Sequence, residues 1–196
     1  IRLFCVKLSE VLKNKYNVRF KEERLTEFSV YKYRQQGPVL VCAGTGSRDL
    51  VSQLSIFLPI YPVKGYSITV DVNGGQNNAP LSSILDDETK IVCSRLGNKL
   101  RVAGTAEFNG YNKRINVNRV QPLVDWVHKT FPEVDASNAQ SWTGLRPMTP
   151  SMMPIVGNSG KYNVWLNTGH GHLGWTLSAF TAKQVVNQFI QSQNIN

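Results

Sequence analysis

Two groups of residues late in the chain combine types and spacings that do chemistry. Arg146 stands in Trp142-Thr-Gly-Leu-Arg-Pro-Met-Thr-Pro150, between Leu145 and Pro147. A guanidinium keeps its charge when partly buried and meets a carboxylate as a two-pronged fork. Apolar flanks imply a buried arginine in a dry pocket, where such a pairing is stronger. A structural arginine held by a core acid or carbonyl is the alternative. The second group is Gly169-His-Gly-His-Leu-Gly-Trp-Thr176, which follows the strand-like run 163–168 and opens a helical pattern. Strand, glycine turn and helix in that order aim a helix N-terminus at an anionic or electron-rich ligand. A tight turn that needs glycine only for close packing is the competing reading.

The turn is a literal G-x-G-x-x-G at Gly169, Gly171 and Gly174, yet it fails as a complete dinucleotide fingerprint. That motif needs an acidic residue about 20 positions on to hold the ribose, and no Asp or Glu follows Asp135. A second strand–glycine–helix run at Val39–Leu54 carries Gly44 and Gly46 but has Asp49 at the third glycine position. His170 and His172 lack a nearby third ligand, so a metal is not expected; the pair more plainly lines a ligand. There is no Ser-His-Asp order and no paired carboxylates in this region, which leaves hydrolysis and general-acid designs unsupported.

Taken together, these motifs resemble the C-terminal part of the FAD-dependent D-amino acid dehydrogenases. Trp142–Pro150 and Gly169–Thr176 carry the resemblance, with Tyr61-Pro-Val-Lys-Gly-Tyr-Ser67, Arg95-Leu-Gly97 and Arg101-Val-Ala-Gly-Thr-Ala-Glu107 in the same order. The similarity runs from about Val18 to the end. It implies oxidative deamination of D-amino acids to 2-oxo acids and ammonia, with FAD as cofactor and Arg146 holding the substrate carboxylate. It places Lys64, Tyr66 and Trp142 in the substrate pocket. Leu25 would touch the adenine, and Gly44 would lie near the dinucleotide. Gly169, His170, Gly171, Leu173, Gly174, Trp175 and Thr176 would face the flavin, the positive helix end steadying the reduced ring. The family's N-terminal FAD-binding unit is expected before Ile1, as an upstream segment or a second chain that completes the cofactor site. A cytoplasmic enzyme follows, with a peripheral membrane quinone as an electron acceptor compatible with the family. Two departures stand out: Ser151-Met152 where the family has Asp-Gly, and Phe180-Thr181 where it packs small residues. They keep a second function in view, a truncated binding or assembly module that retains the fold without flavin.

The elements that must position these groups read as an α/β or α+β chain: a mixed-sheet substrate domain with helices, and the remnant of a doubly wound FAD-binding domain. Residues 1–54 form that remnant, 55–140 the substrate sheet, and 141–196 the return with a C-terminal helix. Phe4–Tyr16 reads as an amphipathic helix with Leu8, Val11, Leu12 and Tyr16 on one side, stopped at Asn17. Val18–Phe20, Arg24–Phe28 and Ser29–Tyr33 alternate like short meander strands, and Gln35–Pro38 is a turn. Val39–Ala43 reads as a strand buried on both faces, with Ser47 capping the helix after it. Tyr61–Val72 is a strand whose Lys64 lies either near the ligand or on an edge. Residues 73–78 are a loop. Lys90–Arg95 and Lys99–Glu107 form a hairpin at Gly97-Asn98; Glu107 pairs with a nearby base or, as the leading expectation, ends the strand in solvent. Asn118–Phe131 is a helix ending in His128 and Pro132. Trp142–Leu145 and Tyr162–Thr168 are strands. The last helix, about His172–Gln191, is expected to bury Leu177, Phe180, Val185, Val186, Phe189 and Ile190. Trp142 and Trp175 wall the site or belong to the core.

Composition sets the bounds. The chain has 196 residues, enough for a real core, and is 41% hydrophobic and 18% charged, a globular balance. Cys5, Cys42 and Cys93 are too few and too scattered for a disulfide framework or zinc pairs; Cys42 and Cys93 are expected as buried free thiols in a reducing compartment. The net charge of +9 raises nucleic acid, a membrane surface or an acidic ligand as partners. The basic residues are spread along the chain without interleaved aromatics, so nucleic acid is not expected and a solvated basic face is. The partner that the resemblance implies is a small amino-acid substrate.

Overall fold

A computed structural model of the chain describes residues 1–72, 79–161 and 163–194. The loop expected at 73–78 and the expected strand start at Tyr162 lie outside the described residues. The fold is mixed α/β with two sheets. One has three strands in the order β1 (Val39–Val41), β8 (Val164–Thr168), β7 (Ile155–Asn158); β1 and β8 run parallel, β7 and β8 antiparallel. The other has five antiparallel strands in the order β3 (Ile84–Asp86), β4 (Ile91–Leu96), β5 (Lys99–Phe108), β2 (Tyr61–Asp71), β6 (Gln140–Met148).

The five-stranded sheet is covered on one face by α4 (Val117–Thr130). Strand alternation sends Tyr66, Ile68, Val70, Leu100 and Val102 to that side, where they pack on Leu123, Trp126 and Val127. Asn116 caps α4, its side chain accepting from the Asn118 N–H at 3.1 Å. The Trp126 indole N–H donates to Asp86 at 2.7 Å and so ties α4 to the edge strand β3. Among the described residues no α-helix packs across the opposite face of this sheet, its open face.

The three-stranded sheet packs α2 (Glu27–Tyr33) and α3 (Ser47–Ser52) through Val30, Val51 and Leu54 on one side. On the other side, α5 (Gly174–Gln193) rests Val185 on the sheet, and Phe189 lies edge-on to Trp165 with ring centroids 5.3 Å apart. α1 (Arg2–Tyr16) ends where expected, at Asn17 with φ 55, but none of its residues is buried.

Several expectations are corrected. The meander at 18–33 is absent: residues 17–26 have no regular structure and 27–33 form α2, started by a capping box between Thr26 and Ser29. β1 is not buried on both faces, because Leu40 is 47% exposed beside Pro38, Val185 and Val186. Gly46, not Ser47, occupies the N-cap of α3. Cys42 is exposed; Cys93 alone is buried. On α5 only Thr181 and Val185 are fully buried, and Phe180, Val186 and Ile190 are 67%, 50% and 51% exposed. An amphipathic pattern marks the side of a helix that can be buried; covering that side takes a neighbouring layer.

Candidate active site

The open face of the five-stranded sheet carries the arginine. β6 pairs with β2 so that Arg146 lies opposite Val63, Gly144 opposite Gly65 and Trp142 opposite Ser67. Alternation puts all six on the open side. The paired glycines leave a floor without side chains. A Cβ at Gly65 would overlap the Arg146 guanidinium, and one at Gly144 would overlap the Trp142 ring. Arg146 is half-buried rather than buried, and desolvation draws its pKa below the usual guanidinium value. Among the described residues it has no acid partner.

The glycine turn sits at the end of the same strand. Gly169 and Gly171 have φ of 75° and 55°, values that favour glycine. The Gly171 N–H donates to the Pro147 carbonyl at 2.9 Å. Side chains at the two glycines would press on Thr149 and Met148. The turn is thereby seated on residues 147–149, immediately after the arginine. The resulting cavity, about 410 Å³, is lined by Arg146, Met148 and His172, with Val63, Val92, Ala103 and Ala106 among its apolar walls. The Gly171 amide is spent on β6. The amides of Gly174, Trp175 and Thr176, at the start of α5, donate to no protein acceptor among the described residues. They are the ones left to face a ligand. His170 turns inward: its Nε2 lies 3.1 Å from the Thr181 hydroxyl, which itself donates to the Leu177 carbonyl. Burial lowers the pKa of the ring.

The other strand-end glycine is nearby. β1 and β8 run parallel with Val41 opposite Leu166, so Gly44 and Gly169 follow adjacent strand ends. The buried Ser47 and Thr168 hydroxyls, 2.7 Å apart, join these ends, and Thr168 also donates to the Gly44 carbonyl at 3.2 Å. Gly44 has φ 57° and open space where a side chain would be. A crevice at the carboxyl ends of parallel strands is where open α/β sheets take nucleotides. The sequence marks Ser47 only as a helix cap and Thr168 only as a strand end, since only the pairing of β1 with β8 brings them together.

Lys64 and Tyr66 are elsewhere. They point to the α4 side, 1% exposed each, in a central strand and not on an edge. The Lys64 ammonium lies 2.7 Å from Glu107 and donates to the Arg114 carbonyl at 3.0 Å; the Tyr66 hydroxyl donates to Glu107 at 2.5 Å. Glu107 is thus a paired carboxylate and not a solvated end. Its hydrogen bonds from Lys64 and Tyr66 pull its pKa down to about 2, and the same pairing raises Lys64. Trp142 is on the arginine's face and 56% exposed. Trp175 is 52% exposed and meets Phe4 edge-on at 5.4 Å; Leu173 is 39% exposed. Leu25 is exposed on the irregular segment between α1 and α2. Among the described residues no group of three or more His, Cys, Asp or Glu gathers as a metal site, and no helix is long and apolar enough to cross a membrane.

Comparison with known proteins fits this geometry. The family model described as FAD dependent oxidoreductase matches residues 4–188. "D-amino acid dehydrogenase 3" of Mesorhizobium japonicum is 57% identical over 147 residues, 74% of this chain and 36% of the relative. The D-amino acid dehydrogenase of Dechloromonas aromatica is 47% identical over 144 residues, covering 73% and 34%. Among solved structures, glycine oxidase from Geobacillus kaustophilus superposes with a TM-score of 0.68 at 22% identity, covering 79% of this chain and 41% of that one. Iminodiacetate oxidase from Chelativorans also gives 0.68, at 19% identity, covering 79% and 42%. The chain spans about a third of the length of these curated relatives. With its glycine-floored arginine and strand-end turns in place, the chain belongs to the family of FAD dependent oxidoreductases.

Proposed function

We propose that the chain supplies the substrate-holding sheet and the flavin-facing helix end of a D-amino acid dehydrogenase. The observation that carries this reading is the single cavity bounded by Arg146 and by His172 of the α5 turn. Arg146 binds the substrate carboxylate as a fork. Val63, Val92, Ala103 and Ala106 give the pair an apolar surface on the sheet side, which lowers its local dielectric and so strengthens it. Bound FAD would supply the acceptor for the hydride that leaves the substrate α-carbon. Gly44 and Gly169 offer side-chain-free approach at the parallel strand ends. The free amides at the start of α5 suit an electron-rich ring edge. Leu25 offers apolar surface for an adenine. Trp142 walls the pocket, while Lys64 and Tyr66 hold β2 from behind the sheet without touching substrate.

Because β6 belongs to the five-stranded sheet, the boundary expected at residue 140 moves past it: residues 1–54 and 149–196 then form the cofactor side and 55–148 the substrate side. A further segment or second chain completes the cofactor side. Its place is the unpaired edge of β1 and the adjoining apolar groove of about 340 Å³, lined by Pro38, Leu40, Trp165, Val185, Val186 and Phe189. We place the chain in the cytoplasm, where the exposed thiols of Cys5 and Cys42 suit a reducing compartment, with a quinone at the membrane face as electron acceptor. The largely exposed Phe180, at a position where the resemblance implies small residues, favours a second reading: an assembly module without flavin.

Incubation with FAD followed by gel filtration separates the two. Retained flavin absorbance, bleached anaerobically by a D-amino acid, is the result expected of the dehydrogenase. A chain that still elutes colourless when the completing segment or second chain is supplied is the assembly module.

A further inference from the structure

The open face of the sheet holds a second guanidinium that the fork does not need. Arg101 of β5 lies opposite Thr69, on the same side as Arg146. Its Nη2 donates to the Ser67 hydroxyl at 3.1 Å, and that serine is only 2% exposed. Its Cζ stands 5.3 Å from the centroid of the Trp142 ring. Hydrogen bond and stacking together fix the position of the guanidinium, so little entropy is left to lose when it meets an anion. Among the described residues Arg101 has no acid partner. The bond to Ser67 is the one hydrogen bond its guanidinium makes among the described residues.

The spacing relates the two arginines. Arg146 lies over Gly65, and Arg101 is anchored at Ser67, two residues further along β2. Two strand residues span about 7 Å, a separation within reach of the two carboxylates of a short dicarboxylate. Ala103, a wall of the Arg146 cavity, pairs directly with Ser67, so the cavity adjoins the Arg101 anchor. Gly144, without a side chain, leaves room for the Trp142 ring on which Arg101 rests.

We propose that Arg101, held by Ser67 and Trp142, is a second anion-binding position that selects acidic D-amino acids, taking the side-chain carboxylate while Arg146 takes the α-carboxylate. This rests on the Arg146 assignment above. Selection arises because a neutral side chain of the same shape leaves the Arg101 charge without a counter-charge.

The test compares D-glutamate with D-glutamine, equal in shape and different in charge, by calorimetric or NMR titration of the full chain. D-glutamate should bind about tenfold more tightly, the worth of one charge-assisted pairing. Arg101→Gln should abolish that preference and leave D-glutamine binding unchanged. Arg101→Lys, which keeps charge but not the fork, should restore part of it and guards against misfolding of the first variant. Equal binding of the two ligands by the unaltered chain, or a preference that survives Arg101→Gln, overturns the proposal. Binding of neither ligand overturns the Arg146 reading and this one with it. Loss of both ligands in Arg146→Gln alone upholds the fork independently of Arg101.

Discussion

The Arg146 guanidinium lies in the space that a side chain at Gly65 would fill. The two residues are on neighbouring strands, and Gly65 is not itself beside Arg146 in the register; Val63 is. The arginine therefore leans along the strand over a glycine pair, and the glycine sets where its charge sits.

Gly65→Ala should displace that charge. Gly65 has no positive φ, so the backbone accepts alanine and the sheet should fold. Carboxylate binding should weaken by about 1.5–3 kcal/mol, the range of a hydrogen bond to a charged group. Titration with a simple carboxylate, with circular dichroism to check the fold, measures this. Unaltered affinity would show that the guanidinium's seat on the floor is irrelevant.

The cluster behind the sheet predicts a pH dependence of stability. Glu107 has a folded pKa of about 2 against an ordinary 4.5. Its pairing therefore contributes fully above about pH 4.5 and is lost as pH falls from there towards 2. Lys64 is raised above 10.5, so its contribution is complete below that value and is lost as pH rises through the raised pKa. Glu107→Gln should lower the melting temperature at neutral pH and flatten the acid limb of the stability profile. Parallel acid limbs in the two proteins would refute the pairing.

Thiol accessibility offers a separate check on the fold. Burial pushes the Cys93 thiol up to about 11, while Cys5 and Cys42 are exposed. A thiol reagent at mildly alkaline pH should label Cys5 and Cys42 in the native chain and reach Cys93 only after unfolding. Prompt labelling of Cys93 would place β4 outside the core.

The parts legible in the sequence are those set by local pattern. Val70, Leu100 and Val102 alternate with polar neighbours, and Leu123 and Val127 recur at helical spacing, so β2, the β4–β5 hairpin and α4 fall close to where they are expected. Residues 27–33 mislead because Phe28, Val30, Tyr31 and Tyr33 favour strands, while the local capping bonds of Thr26 and Ser29 decide for a helix. β7 escapes notice as a strand because it has four residues and a glycine at φ 131°. At the site, Arg146 and the glycine turn are visible as motifs. The Lys64–Glu107 pair is not, because it depends on the register of β2 against β5, which local pattern does not specify. The same register separates Lys64 and Tyr66 from the arginine's face. The exposure of Leu40, Phe180 and Val186 is equally invisible, since a hydrophobic stripe reads the same with or without the layer that covers it.

The central claim is that Arg146 and the start of α5 bound one ligand cavity. Titration of isotope-labelled protein with benzoate, followed by NMR, tests it most directly. Shifts should appear together at the Arg146 side chain and at the His172, Gly174 and Trp175 amides, with one dissociation constant, and vanish together in Arg146→Met. Shifts confined to one of these groups, or persisting in the variant, would contradict the account.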